Sequence, residues 1–256
     1  MPFALHDAHL HLGFTSSPCA LACQAAREGS LLFCQTVDPG EFARLEPLLA
    51  DAPAVRLGLG LHPWWVKPGQ QAAPQLGCFL ELLPSTRFVG EVGLDLSPRR
   101  RENAAEQLRA FQATLDRCVM RPEAVLSVHC VGAADVLLDQ LERWGSARQC
   151  AVVFHWFSGS SNELTRARKL DCWFSVGPRM LGTKRGRAYV QAVSPTRLLL
   201  ETDLPEGGSP DHSVDLDFAR VRADLQRAQE LVDAARGGSL AAQIAQNARE
   251  LLGPIR

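Results

Sequence analysis

Two histidines stand two residues apart near the start of the chain, in the stretch DAHLHLG at residues 7–13. If this stretch is a strand, His9 and His11 point to the same side of it and can bind one metal ion together. Asp7 lies on that side as well and is suited to hold an imidazole in place. Two histidines alone do not establish a metal site, so the remaining ligands must come from elsewhere in the chain.

Further histidines and acidic residues follow other short apolar runs. The residues with this placement are His62, Glu91, His129, His155, Glu201 and Asp203. Several imidazoles and carboxylates brought to one place would repel one another or stay unsatisfied without a cation. Imidazole and carboxylate ligands together suit zinc, manganese, iron or a similar divalent ion. Four of these imidazoles and two of these carboxylates make six ligands, which exceed the needs of one hydrolytic ion and suit two ions that share a carboxylate.

The apolar runs that carry these residues predict eight strands. They begin at Phe3, Ser30, Ala54, Arg87, Ala124, Ala151, Cys172 and Arg197. Between them lie amphipathic stretches, the clearest over residues 102–120, in which apolar residues recur at helical spacing. The other predicted helices cover residues 41–49, 75–83, 133–144, 162–170 and 184–193, and two more fill residues 215–252 on either side of Gly237–Gly238.

The alternation of strands and helices predicts the fold class, because it favours parallel pairing with right-handed crossovers. Eight such units in 256 residues predict an α/β fold, a (β/α)8 TIM barrel that forms one domain over residues 1–256. An open doubly wound sheet is the alternative, but the sequence lacks the glycine-rich loop that usually follows its first strand. The carboxyl ends of barrel strands share one face, which would collect five of the seven histidines there.

The composition narrows the function classes. A net charge of −1 leaves nucleic-acid binding to a local basic patch rather than to the whole surface. No apolar run approaches the roughly 18 residues that a membrane span needs, and from the N-terminal residues we expect no export signal. The eight cysteines form no CxxC pair, so we expect reduced thiols in a cytoplasmic protein without a membrane partner.

Taken in order, these motifs resemble those of the TatD family of metal-dependent deoxyribonucleases, which are amidohydrolase-like barrels. The matching stretches are DAHLHLG, GLHPWW, VGEVGLD, the HC pair at His129, HWFSGS, LLLETDLP and the late pair Asn247-Ala248. HxH alone is a weak signal, whereas GExGLD, HxFSG and ETD in this order are specific. The stretch from His155 to the KRGR run resembles relatives found in some bacterial anti-phage gene cassettes.

The resemblance implies two divalent ions, with zinc, magnesium and manganese as the candidates. The ligand set that it implies is His9, His11 and Asp203 for one ion, His129 and His155 for the other, and Glu91 as the bridge between them. The expected catalytic residues are Asp203, Glu91 and His62. In these roles Asp203 orients or deprotonates the attacking water, and His62 contacts either a substrate phosphate or one of the ligands.

The expected function is hydrolysis of DNA phosphodiester bonds by a metal-activated water, as an exonuclease on single strands or 3′ ends. Basic residues follow the fourth and seventh strand runs, where a phosphate backbone could meet them, and Arg179 and Lys184 are the expected substrate contacts. Trp64 and Trp65 stand beside His62 and could stack on a splayed base.

Two other functions are compatible with the same ligands. An amidohydrolase-type enzyme would use the ions on another ester or amide, such as an aminoacyl-tRNA or a small lactone. A non-catalytic scaffold would keep the barrel, although a degenerate copy usually loses ligands first. Two departures from the family pattern, Val131 after the HC pair and the text ETDLPEGG, concern the substrate side. We expect a monomer, and the anti-phage resemblance leaves open a complex with other defence or repair proteins.

Overall fold

The computed structural model of the protein describes residues 4–253, without the side chain of residue 146. The strands in this range are β1 (Asp7–Leu10), β2 (Leu32–Gln35), β3 (Val55–Leu61), β4 (Phe88–Asp95), β5 (Val125–Val131), β6 (Ala151–His155), β7 (Trp173–Val176) and β8 (Leu198–Leu200). The helices are α1 (Pro18–Arg27), α2 (Pro39–Leu49), α3 (Ala72–Leu82), α4 (Ala104–Cys118), α5 (Ala134–Trp144), α6 (Ser161–Lys169), α7 (Pro178–Leu181), α8 (Lys184–Ala192), α9 (Phe218–Arg236) and α10 (Ala241–Leu252).

The strands follow one another in the sheet in the order β1 to β8, and the strand pairs whose register is described are parallel. This order confirms the predicted (β/α)8 barrel class and excludes a doubly wound sheet, in which the strand order reverses at a switch point. All eight predicted strands are present. Phe3, at which the first predicted run begins, lies outside the described residues.

The structure adds two helices that apolar periodicity did not predict. The buried side of α1 is formed by Leu21, Ala22 and Ala25, and two of these side chains are too small to produce a clear apolar period. Helix α7 has a single turn of four residues, which is shorter than the window over which a helical period can be recognised.

The chain forms two compact units. Within the described residues, the terminal unit comprises residues 4–34, 44–57 and 174–253, and the central unit comprises residues 35–43 and 58–173. The terminal unit contains β1, β8, α9 and α10, and the central unit contains β4 to β6 with α3 to α6. The assignment of residues 1–256 to a single domain stays a prediction.

Each unit has its own buried core. In the terminal unit, the buried Asn247 on α10 donates from Nδ2 to the carbonyl oxygens of Leu198, at 2.8 Å, and of Pro195, at 2.7 Å, and so ties this helix to the start of β8. In the central unit, Phe154 and Phe157 are fully buried and pack edge to face with ring centroids 5.3 Å apart.

Among the described helices, none combines the length and the apolar character that crossing a membrane requires.

Candidate metal centre

In the terminal unit, the end of β1 lies beside the segment that follows β8. The backbone N–H of Asp203 donates to the His9 carbonyl at 2.9 Å, and that of His11 donates to the Leu204 carbonyl at 2.8 Å. Oδ1 of Asp203 lies 3.8 Å from Nε2 of His9 and also 3.8 Å from Nε2 of His11. The structure therefore brings together the three residues that were expected to hold one ion.

Asp203 has a special backbone conformation, with φ at 57°. This left-handed region is unusual for residues other than glycine, and aspartate is among the few that enter it more readily. Both histidines are buried, whereas a quarter of the Asp203 side chain is exposed. The carboxylate thus lies at the solvent side of the two imidazoles, where a substrate or a water molecule can reach it.

Asp7 stabilises the end of β1 and the segment that follows β8. Its Oδ1 accepts hydrogen bonds from the backbone N–H groups of His9 and Thr202, both at 3.1 Å, and its Oδ2 accepts one from the Thr202 hydroxyl at 2.6 Å. Burial raises the pKa of Asp7 to about 7, although the hydrogen bonds from Thr202 and His9 oppose the shift. The described bonds of Asp7 thus hold the backbone that carries His9, whereas the sequence suggested that it would hold an imidazole.

Arg179 lies at the same carboxylate. Its Nη2 is 3.0 Å from Oδ2 of Asp203, and its Nη1 is 3.4 Å from Oε1 of Glu206. The guanidinium is 43% exposed, so it remains accessible from solvent. An exposed cation beside a predicted ligand is well placed to meet an anionic group of a substrate.

Lys184, the other expected substrate contact, lies apart from these contacts at the start of α8. It lines a cleft of about 760 Å³ together with Arg185, Arg187 and Gln191. Arg187 donates from Nη1 to the carbonyl oxygens of Leu181, at 2.9 Å, and Gly182, at 3.0 Å, so its guanidinium holds the end of α7. The structure thus separates Arg179, at the ligand cluster, from Lys184, in a basic cleft.

In the central unit, three imidazoles converge on one carboxylate oxygen. Oε1 of the buried Glu91 lies 2.7 Å from Nδ1 of His129, 3.4 Å from Nε2 of His62 and 3.8 Å from Nε2 of His155. All four residues are buried. The elements that place them are β4 for Glu91, β5 for His129, the last residue of β6 for His155, and the residue after β3 for His62.

The structure also brings Asp95 into this cluster, a residue that was not among the predicted site residues. Its Oδ2 lies 3.5 Å from Nε2 of His129 and accepts a hydrogen bond from Nε1 of Trp64 at 2.6 Å. Its Oδ1 accepts one from the backbone N–H of Ser97 at 2.9 Å. The sequence contained a signal for Asp95, because residues an even number of positions apart on one strand share a face, and Asp95 is so placed relative to Glu91.

The neighbouring carboxylates alter the protonation of this cluster. Burial lowers the pKa of His129, but hydrogen bonds to Asp95 and Glu91 outweigh the burial and raise this pKa above its usual value. Burial raises the pKa of Asp95, but hydrogen bonds from His129, Ser97 and Trp64 outweigh it and hold this pKa below its usual value. Two buried carboxylates therefore stabilise positive charge at His129.

The donor sets of both clusters fit a divalent cation. Nitrogen and oxygen ligands about 2.1 Å from a tetrahedral ion lie roughly 3.4 Å from one another. The observed separations of 3.8 Å at Asp203 and 3.8 Å between His155 and Glu91 are close to this value, whereas the 2.7 Å between His129 and Glu91 is a hydrogen-bond distance that has to lengthen to admit an ion. In the central unit, ligand atoms of His62, Glu91 and His129 all lie within 4.8 Å of one another. These residues can therefore close around an ion with small side-chain movements.

Comparison with known proteins assigns the chain to one family. A model of the family "TatD related DNase" matches residues 6–253. The "3'-5' ssDNA/RNA exonuclease TatD" of Klebsiella pneumoniae is 31% identical over 57% of this chain and 56% of its own length, so the chain spans about half of that relative. The protein of the same name from Dickeya dadantii is 32% identical over 73% of this chain and 70% of its own length.

Solved structures share the fold. YJJV, a TatD homologue from Escherichia coli, superimposes with a TM-score of 0.72 at 24% identity and covers 98% of both chains. A TatD family hydrolase from Entamoeba histolytica gives a TM-score of 0.74 at 14% identity, again over 98% of both chains. At these identities the likeness concerns the fold, and it agrees with the (β/α)8 barrel described above.

Proposed function

Because this chain belongs to the family of TatD-related DNases, we propose that it is a metal-dependent hydrolase that cleaves phosphodiester bonds of nucleic acids. The observation that carries the proposal is the convergence of His62, His129 and His155 on Oε1 of the buried Glu91. Three imidazoles around a buried carboxylate suit a hydrolytic metal centre. Without a cation, the burial of these polar and charged groups would cost considerable free energy.

The proposed ligands are the six residues that the sequence suggested. They are His9, His11 and Asp203 for one ion, and Glu91, His129 and His155 for the other, with the bridging role of Glu91 resting on the family resemblance. When bound, two divalent ions would supply a hydroxide nucleophile near neutral pH and neutralise charge on the phosphate. Zinc, magnesium and manganese remain the candidate ions.

The chain's own residues would complete the reaction. Asp203, which is partly exposed, can accept a proton from the attacking water. Arg179, which lies 3.0 Å from Asp203, can hold a non-bridging phosphate oxygen by a charge-assisted hydrogen bond. In the central unit, the imidazole of His62 faces Glu91 and can donate to a phosphate oxygen.

The proposed substrate is single-stranded nucleic acid, attacked from the 3′ end. The support for it is that the relatives named above are 3'-5' exonucleases of single-stranded DNA and RNA. The sequence suggested DNA, and these names extend the proposal to RNA as a second substrate to be assayed. A monomeric state, a cytoplasmic location and a complex with defence or repair proteins stay predictions.

The test is a metal-titrated cleavage assay on single-stranded DNA and RNA oligonucleotides that carry a label at either the 5′ or the 3′ end. We expect stepwise shortening from the 3′ end with magnesium, manganese, zinc or cobalt, and no cleavage in excess chelator. The Glu91→Gln variant should lose at least about 100-fold in turnover, because it removes a ligand charge. Glu123→Gln is the matched control, since it neutralises an exposed glutamate of the same unit.

The outcomes separate the alternatives. Metal bound by the wild type, measured by calorimetry, with no cleavage of either nucleic acid would overturn the nuclease and favour hydrolysis of another ester or amide. Absence of any metal binding would overturn the hydrolase as a whole and favour a non-catalytic barrel. Equal turnover in Glu91→Gln and wild type would remove Glu91 from the centre.

A further inference from the structure

An indole ring lies at the solvent side of the central cluster. Trp64 follows β3 by three residues and is 45% exposed, although its ring centroid is 5.2 Å from that of His62 and 6.0 Å from that of His129. Its orientation is fixed, because Nε1 donates to Oδ2 of the buried Asp95 at 2.6 Å. A single exposed aromatic residue is ordinary on a protein surface, but one held in place beside buried ligands needs a reason.

A guanidinium covers part of the same ring. Cζ of Arg100, in the loop between β4 and α4, lies 4.5 Å from the Trp64 ring centroid. The Arg100 side chain is exposed, and it belongs to a basic run, PRRR, at residues 98–101. A cation at this distance from an indole face is attracted to the ring, and its planar group can also stack or pair with phosphate.

The Trp64 side chain and the backbone of Arg100 are held in place through Asp95 and Gln107. Asp95 accepts from Trp64 through Oδ2 and from the backbone N–H of Ser97 through Oδ1, and Ser97 begins the turn in which Arg100 N–H donates to its carbonyl at 2.9 Å. Gln107 donates to the Arg100 carbonyl at 2.8 Å and accepts from the Asp95 backbone N–H at 2.9 Å. The loop is therefore ordered by the strand that carries Glu91.

We propose that Trp64 and Arg100 form a nucleotide clamp at the rim of the central cluster. A nucleobase next to the bond to be cleaved displaces the Arg100 guanidinium from the Trp64 ring and stacks there, and Arg100 then pairs with the phosphate of that nucleotide. This inference rests on the proposed nuclease function and adds to it a substrate-binding site. Because every base has a π-face, the clamp accepts all four bases, and it admits unpaired nucleotides because a base in a duplex is already stacked.

The experiment measures binding apart from cleavage. Fluorescence anisotropy in excess chelator gives the Kd of the full chain for a labelled single-stranded decamer, and for the same decamer with an abasic nucleotide at each of the three 3′ positions in turn. Loss of the indole in Trp64→Leu should weaken binding of the intact decamer about 5- to 100-fold. The same variant should lose little on the decamer whose missing base is the one that Trp64 contacts.

Two further variants isolate the ring and the charge. Trp64→Phe keeps a stacking ring but loses the bond to Asp95, so it should retain most of the affinity that Trp64→Leu loses. Arg100→Ala should weaken binding and lower the slope of log Kd against log salt by about one. Arg99→Ala, which removes an equal charge one residue earlier in the same loop, is the matched control and should leave the base dependence unchanged.

The clamp would be overturned if the losses from Trp64→Leu and from the abasic site simply add at all three positions, or if Trp64→Phe loses as much as Trp64→Leu. Wild-type cleavage of the intact decamer with added metal distinguishes this failure from failure of the function. If the wild type cleaves but the losses add, the clamp alone is wrong. If the wild type neither binds nor cleaves, the proposed nuclease and the clamp are both wrong.

Discussion

Substitution of Gly93 by alanine should damage both stability and metal binding, for a reason that is local to β4 and β5. Gly93 pairs with His129 across these strands and has φ at +137°, a conformation that side chains rarely allow. A Cβ at this position would lie 2.1 Å from the carbonyl oxygen and 2.9 Å from the backbone nitrogen of His129. Since the obstructing atoms are backbone, the two strands must separate where His129 meets Glu91.

The magnitude follows from two terms. A side chain at positive φ costs about 1–2 kcal/mol, and overpacking in a well-packed interior adds about 1–3 kcal/mol. The sum, about 2–5 kcal/mol, corresponds to a fall in Tm of about 4–20 °C for a chain of this length. Movement of His129 away from Glu91 should also weaken metal binding by at least about 10-fold.

Gly69 offers a matched control in the same unit. It has φ at +57°, and a Cβ there would meet no atom within 4 Å. Gly69→Ala therefore carries the backbone term alone, about 1–2 kcal/mol, and should leave metal affinity unchanged. The measurements are thermal unfolding and calorimetric metal titration of both variants. Equal Tm losses in the two variants, or wild-type metal affinity in Gly93→Ala, would contradict a clash between the new Cβ and the His129 backbone.

Three further outcomes are expected. Thr202→Val should lower the free energy of unfolding by about 1.5–3 kcal/mol, because it removes the hydroxyl donor of the buried Asp7; in chemical denaturation, Thr202→Ser should recover most of this loss. Burial, helped by the nearby Arg249, lowers the pKa of His6 to about 4, so the unfolded chain binds the extra proton first and stability falls as pH drops from 6.5 to 4. The wild type should therefore lose up to about 3 kcal/mol of unfolding free energy between pH 7 and pH 4.5 through His6, and His6→Asn should not show this loss. Urea unfolding of both proteins at the two pH values measures it, and an equal loss in both would contradict the role of His6. Added manganese or zinc should raise the Tm of the wild type and excess chelator should reverse the rise, whereas a Tm indifferent to both would contradict metal binding.

The residue types at the strand ends made much of the centre predictable. Glu91, His129 and His155 each stand in or at the end of a short apolar run, and the rule that barrel chemistry lies at these ends was enough to group them. His62 was expected to contact either substrate or a ligand, and the structure places it 3.4 Å from Glu91, among the possible ligands. A strand end specifies a side of the sheet, but it does not specify which atoms meet.

Periodicity determined the order of elements for the same reason, because a strand or a helix is encoded in neighbouring residues. The alternation of eight apolar runs with amphipathic stretches was sufficient for the (β/α)8 class. It failed at α1 and at α7, where small buried side chains or a single turn leave no period to detect.

The tertiary structure decided the contacts between residues that are distant along the chain. The pairing of Trp64 with Asp95 spans 31 residues, and that of Asp7 with Thr202 spans 195. Such contacts depend on strand register and on side-chain rotamers, neither of which a local pattern contains. Local sequence patterns were therefore sufficient for the fold class and for the chemical type of the candidate ligands, whereas the structure shows which groups hold them in place and which side chains stand at their solvent side.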